Sequence, residues 1–205
     1  MVIVAWGREG GLVMKVYVVY THPRGDSFNA AIRDRLLQGL REAGHEVELS
    51  DLYAEGFQPI LTGSDLEQLA RGEIPPDILR YQEKIRRAEA LVFIYPIWWF
   101  GQPAMLKGWL DRVLSKGFAY DMTPNGPLPR LKNKKALILN TAGGMEPMYQ
   151  GLGFTDAMKK VMDNGTLNFC GIPRVSHFIF HNVLNADDAT RKGYLDEVYR
   201  LGREF

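Results

Sequence analysis

From residue 15 onward, the apolar positions of this chain fall into two alternating patterns. One is the short run without polar interruption, seen best in Ala-Leu-Val-Phe-Ile-Tyr at 90–95, as a strand covered on both faces requires. Residues 15–20, 46–49, 135–140 and 174–180 read as four further strands. The other pattern repeats every three to four positions. It predicts helices over 28–43 closed by Gly44, over 78–88, from Pro103 through Leu114, over 154–162 and over 186–201. Pro96 is expected to end the ladder of the 90–95 strand. Residues 58–77 contain Pro59, Gly63, Gly72, Pro75 and Pro76; they are too irregular for a long element and are expected to form a loop over the functional site.

Strands that alternate with helices imply a three-layer α/β fold with a doubly wound, parallel, five-stranded sheet. Right-handed crossovers and helices on both faces favour the strand order 2-1-3-4-5. In such sheets ligands bind beyond the carboxyl ends of the strands, where the winding direction changes. Three loops should therefore face one crevice: 21–29, 96–102 and 141–149.

Each of those loops has unusual composition. The stretch Ile97, Trp98, Trp99 and Phe100 puts large apolar side chains where a soluble protein usually has polar ones, a surface for a flat apolar molecule; ordinary core packing is the competing explanation. Thr21-His-Pro-Arg-Gly-Asp-Ser-Phe-Asn29 enters a helix with Ser27 near the cap, where N–H groups favour a phosphate, though Asp-Ser also makes a plain cap. Thr141-Ala-Gly-Gly-Met-Glu-Pro-Met-Tyr149 lets backbone approach a ligand closely and offers a tyrosine hydroxyl as donor to developing negative charge.

Composition narrows the function classes. With 205 residues, 46% hydrophobic and 24% charged, the chain reads as one domain over 14–205, and disordered or fibrous classes are excluded. A net charge of +1 gives no field for nucleic acid or an anionic membrane. No apolar segment is long enough for a membrane span. The single cysteine, Cys170, fits a reducing cytoplasm and reads as a small buried apolar group rather than a nucleophile. His22, His45, His177 and His181 lack metal-ligand spacing, so no metal is expected, and His177 and His181 are read as surface groups at a strand end. No G-x-G-x-x-G or P-loop pattern follows a strand, which argues against a Rossmann dehydrogenase or a nucleotide hydrolase. Residues 1–13 are expected to be an N-terminal extension, with Met14 as the natural start.

The motifs His22-Pro with Ser27-Phe-Asn29, Ser50-Asp-Leu-Tyr53, Tyr95-Pro-Ile-Trp-Trp-Phe-Gly-Gln-Pro-Ala-Met-Leu-Lys-Gly-Trp-Leu-Asp-Arg112, Gly117-Phe-Ala-Tyr120, Thr141-Ala-Gly-Gly144 with Met148-Tyr149, and Gly165-Thr-Leu-Asn-Phe-Cys-Gly171 carry a family resemblance. Over most of its length from Met14 the chain resembles the NAD(P)H:quinone oxidoreductases of the flavodoxin-like fold. That resemblance implies a bound flavin, FAD or alternatively FMN, with NAD(P)H as co-substrate and a quinone or other aromatic acceptor. It implies that His22, Ser27, Phe28 and Asn29 hold the phosphate and ribityl region, and that Pro96, Ile97, Trp98, Trp99 and Phe100 with Thr141, Ala142, Gly143 and Gly144 hold the ring system. Tyr149 would be catalytic, stabilising negative charge on the reduced ring. Trp99, Phe100 and Tyr120 would contact substrate, Tyr120 from the second subunit of a homodimer. Arg191 matches an arginine that FAD-binding members place on the adenylate half. Members with a histidine six residues beyond the tyrosine have Thr155 here, so a proton relay at that position is not carried over. The implied reaction is ping-pong hydride transfer. Its rivals are reduction of azo or nitroaromatic compounds, a regulatory flavoprotein subunit of a potassium efflux system, and a one-electron carrier.

Overall fold

The computed structural model describes residues 13–205, and the expected N-terminal extension lies outside that range apart from Val13. The first half of the chain runs through β1 (Lys15–Tyr20), α1 (Phe28–Glu42), β2 (Glu46–Asp51), α2 (Gly63–Ala70), α3 (Pro76–Arg87), β3 (Ala90–Pro96) and α4 (Ala104–Val113). The second half follows with β4 (Tyr120–Thr123), β5 (Gly126–Pro129), β6 (Lys135–Thr141), α5 (Glu146–Gly151), α6 (Phe154–Lys159), a π-helical stretch over Lys160–Asn168, β7 (Val175–Phe180) and α7 (Asp188–Arg203).

The five predicted strands form one parallel sheet in the order β2-β1-β3-β6-β7, which is the expected winding. The antiparallel pair β4-β5 stands outside it and was not foreseen. Alternate side chains of each strand enter two cores, as the pleat dictates. Tyr17, Val19, Leu91, Phe93 and Tyr95 pack with Ile78, Tyr81, Leu106 and Trp109 from α3 and α4. Val16, Val18, Tyr20, Val92 and Ile94 pack with Ile32, Leu36 and Leu40 of α1 and with Val198 and Leu201 of α7. Every residue of β3 is buried, which explains why its sequence shows no alternation.

One boundary falls where it was expected and one does not. Pro96 ends the ladder as expected: it is the last residue of β3, in register with Thr141, and the peptide N–H of Ile97 beyond it donates to the Thr141 carbonyl at 2.8 Å. Pro103 is the residue before α4 rather than its first, with an extended ψ of 147°.

The stretch 58–77 does not cover the site. It contains α2, which is closed by a capping box between Thr62 and Asp65, and it docks on α4 instead. There the guanidinium of Arg112 donates to both oxygens of Asp65, to both of Asp77 and to the Gln58 carbonyl. Gly108 permits this approach: a Cβ at that position would lie 2.0 Å from the Pro59 carbonyl oxygen. Gly108→Ala must therefore push the 58–77 stretch away, at a cost of about 1–3 kcal/mol typical of overpacking. A lowered midpoint in chemical denaturation checks this, and an unchanged midpoint contradicts it.

Among the described residues no helix is long and apolar enough to cross a membrane, and no group of three or more potential metal-ligating side chains occurs.

Candidate functional site

The crevice opens at the carboxyl ends of β1, β3 and β6. It is lined by His22, Ser27, Phe28 and Asn29 from the loop after β1 and by Pro96, Ile97 and Trp98 from the end of β3 and its loop. Thr141 and Gly143 follow β6, and Arg191 comes from α7. All three predicted loops thus meet at one place. Ala142 is buried beneath the crevice, its N–H donating to the Phe180 carbonyl at 2.9 Å, and Gly144 holds the next segment by accepting from Asn182 at 3.0 Å. Tyr120 does not line this crevice; it opens β4 and packs edge-on against Phe169 at 5.2 Å.

Sequence reasoning missed three lining residues, Arg24, Val183 and Leu184. Val183 and Leu184 sit on the loop after β7, and the same carboxyl-end rule that picked the other three loops would have found them. Arg24 is engaged with Asp26 through two bonds of 2.9 Å.

At the α1 end, Ser27 caps the helix, its hydroxyl accepting from the Ala30 N–H at 3.2 Å. A helix N-terminus of this kind favours an anion through its unpaired N–H groups and dipole. Asn29 is 3% exposed and its amide donates to Thr141 Oγ1 at 2.7 Å, which ties the first loop to the third. Its Oδ1 is buried without a partner, as is Arg191 Nε. Arg191 is otherwise held by its Nη2 donating to the Val183 carbonyl at 3.2 Å. Buried polar atoms are nearly always satisfied, so two orphans at one crevice mark a place for a polar ligand.

The aromatic loop is held in a tight turn. Trp98 and Gly101 exchange backbone hydrogen bonds of 3.2 and 3.1 Å, and between them Trp99 and Phe100 adopt φ of 50° and 56°. Two consecutive bulky residues in the left-handed region cost of order 1–3 kcal/mol each, and such strain clusters at functional sites. Trp99 is 96% exposed, so no packing within the chain repays its placement. Phe100 stacks on Phe154 at 3.9 Å and leans against Tyr149 at 5.4 Å.

Tyr149 is 5% exposed on α5 and belongs to a small cluster with Ile97, Ala142 and Met158. Burial pushes its hydroxyl above the ordinary tyrosine range, so it stays protonated and able to donate. Gly144 is needed beside it, since a Cβ there would lie 2.8 Å from the tyrosine ring.

His177 and His181 are not surface groups. The His177 side chain is 2% exposed, with Nδ1 at 2.8 Å from Asp163 and Nε2 donating to Asn140 Oδ1 at 2.5 Å. His181 is buried edge-on against the Tyr149 ring at 4.9 Å, and burial lowers its pKa. His177 lies within β7 and His181 just beyond its end; Asp163 of the π-helical stretch packs against the first and Tyr149 of α5 against the second. Cys170 is buried as expected, which pushes its thiol up to about 11 and leaves it no reactive thiolate.

Residues 14–201 match the family described as flavodoxin-like fold. An uncharacterised NAD(P)H oxidoreductase of Haemophilus influenzae is 36% identical over 184 residues, covering 89% of this chain and 91% of that protein. NAD(P)H dehydrogenase [quinone] 1 of Cavia porcellus is 36% identical over 194 residues, covering 82% of this chain and 70% of that protein. The structure of an NAD(P)H:quinone oxidoreductase from Methanothermobacter marburgensis superposes with a TM-score of 0.85 at 36% identity, over 94% of this chain and 96% of that one.

Proposed function

Since the chain belongs to the flavodoxin-like family of NAD(P)H:quinone oxidoreductases, we propose that it is a flavin-dependent enzyme that oxidises NAD(P)H and reduces a quinone. The observation that carries this reading is the crevice itself: Ile97, Trp98 and Gly143 line it, and the buried Asn29 Oδ1 and Arg191 Nε on its walls lack partners. These residues fit a flavin. Ser27 and the first turn of α1 would hold a phosphate, with His22 and Phe28 flanking it. Asn29 would take a polar group of the ribityl chain. Pro96 to Phe100 and Thr141 to Gly144 would enclose the ring system, and Arg191 would lie beyond the phosphate, which favours FAD over FMN.

A bound flavin supplies the two-electron exchange that no side chain of this protein can perform. The protein's part is to bind, orient and dry the site. The Tyr149 hydroxyl would donate a hydrogen bond where negative charge develops. Trp99 and Phe100 would cover the ring face and admit one flat partner at a time, so that NAD(P)H and the acceptor occupy the same place in turn. We further propose a cytoplasmic homodimer in which Tyr120 of one subunit completes the acceptor slot of the other.

The test is to release the chromophore by heat, identify it by mass, and mix the anaerobic holoprotein first with NADH or NADPH and then with a quinone. The expected outcome is bleaching of the flavin band followed by full recovery on adding quinone. A protein that neither contains nor binds flavin overturns the reading. Bleaching that recovers with an azo dye but not with a quinone favours azo reduction, and sluggish bleaching favours the regulatory role.

A further inference from the structure

A second hollow adjoins the crevice on the far side of Ile97, which lines both. It encloses about 170 Å³ between the 97–102 loop and the helical stretch from Phe154 to Val161. Its walls are Ile97, Phe100, Phe154, Met158 and Val161, with Ala157 at the rim. Tyr95, Asn140 and Gln102 also line it, and the Asn140 amide and Gln102 Nε2 are already engaged. Asn140 Nδ2 donates to the Tyr95 carbonyl at 3.1 Å, and its Oδ1 accepts from His177. Gln102 Nε2 rests on the Met162 sulfur at 3.4 Å. Asp163 holds His177 from the other side, so the Asn140 amide cannot turn to serve a ligand without breaking a buried chain of contacts.

A hollow with apolar walls and occupied amides selects an apolar occupant. Its size fixes how much: an apolar cavity of about 150 Å³ holds one benzene ring. We propose that this hollow is a substituent pocket, taking a ring-sized apolar group carried by the acceptor while the reacting ring lies in the adjoining crevice. The proposal rests on the quinone-reductase reading above and adds a substrate class to it: quinones bearing one compact apolar substituent. Ile97, which lines both, is the partition between the two compartments, and Phe100 walls the hollow, stacked on Phe154 and leaning on Tyr149. Phe100 holds this position on a left-handed backbone and stays partly exposed at the mouth of the hollow.

Ala157→Phe tests the proposal. Ala157 is exposed on α6, so the change fills the rim without disturbing a core. Two measurements are made on the holoprotein. In the first, the ratio of kcat/KM for 2-phenyl-1,4-benzoquinone to that for 1,4-benzoquinone is compared between wild type and variant, which cancels the intrinsic reactivities of the two compounds. The ratio is expected to fall about tenfold or more, the scale on which apolar pockets discriminate, with the rate of flavin reduction by NAD(P)H unchanged. In the second, binding of 2-phenylhydroquinone is followed by tryptophan fluorescence, which needs no turnover, and its affinity is expected to fall by a similar factor. Val161→Phe, from the π-helical side of the same hollow, should reproduce both losses. Unchanged ratios and affinities in both variants overturn the pocket. Failure of the wild type to be reduced by NAD(P)H would instead overturn the reductase reading, and the binding measurement would still decide whether the hollow takes a phenyl group.

Discussion

Tyr149→Phe is expected to slow reduction of the bound flavin by NAD(P)H about 100-fold, the usual cost of deleting one donor to developing negative charge. The hydroxyl is the only atom removed. The ring's contacts with Phe100, Phe154 and His181 remain, so the fold and cofactor content should be unchanged. Because burial raises the pKa of Tyr149, the wild-type rate should not decline at mildly alkaline pH through loss of this proton. Anaerobic stopped-flow of wild type and variant, matched for flavin content, measures the effect. A variant within twofold of wild type would make Tyr149 a packing residue.

The second large effect concerns stability. Arg112→Ala is expected to destabilise the protein by about 3–5 kcal/mol, because it strands a buried carboxylate. The Arg112 side chain is 6% exposed and that of Asp65 is 8% exposed; with Asp77 and the Gln58 carbonyl they tie the 58–77 stretch to α4. Burial alone would raise the pKa of Asp65. The Thr62 N–H, the Arg112 guanidinium and the Thr62 hydroxyl outweigh it and hold the carboxyl below the usual aspartate range. A carboxyl lowered in the folded state adds stability above its unfolded pKa, near 3.9, and that stability is lost as pH falls through the folded value. Urea denaturation at pH 7 and pH 3 should therefore show a larger gap between wild type and Arg112→Ala at pH 7. An equal gap at both values would sink the electrostatic account.

The parts of the fold legible in the sequence were those fixed by local pattern. The uninterrupted apolar run of β3 could only be a strand covered on both faces, and the five strands with intervening helices left few windings. The carboxyl-end rule then gathered His22, Asn29, Ile97, Thr141 and Gly143 into one crevice. What escaped depended on contacts distant in sequence. Nothing local to His177 announces Asp163 and Asn140, which are 14 and 37 residues away. The short strands Tyr120–Thr123 and Gly126–Pro129 carry three prolines between and within them, a composition that reads as loop. The destination of residues 58–77 was invisible for a similar reason: Gly108 looks like an ordinary helix residue until Pro59 is seen resting on it. The π-helical register of Lys160–Asn168 leaves no periodic signal that separates it from an α-helix.

The turn that carries Trp99 and Phe100 sets the protein's usefulness against its robustness. Glycine at either position would relax the backbone, and the protein would be expected to gain stability there. Each such gain would remove an aromatic side chain that the proposed reaction uses to cover the flavin ring. Selection for thermal endurance alone should thus converge on this loop and erode it first, and any attempt to harden the protein has to leave these two residues as they are.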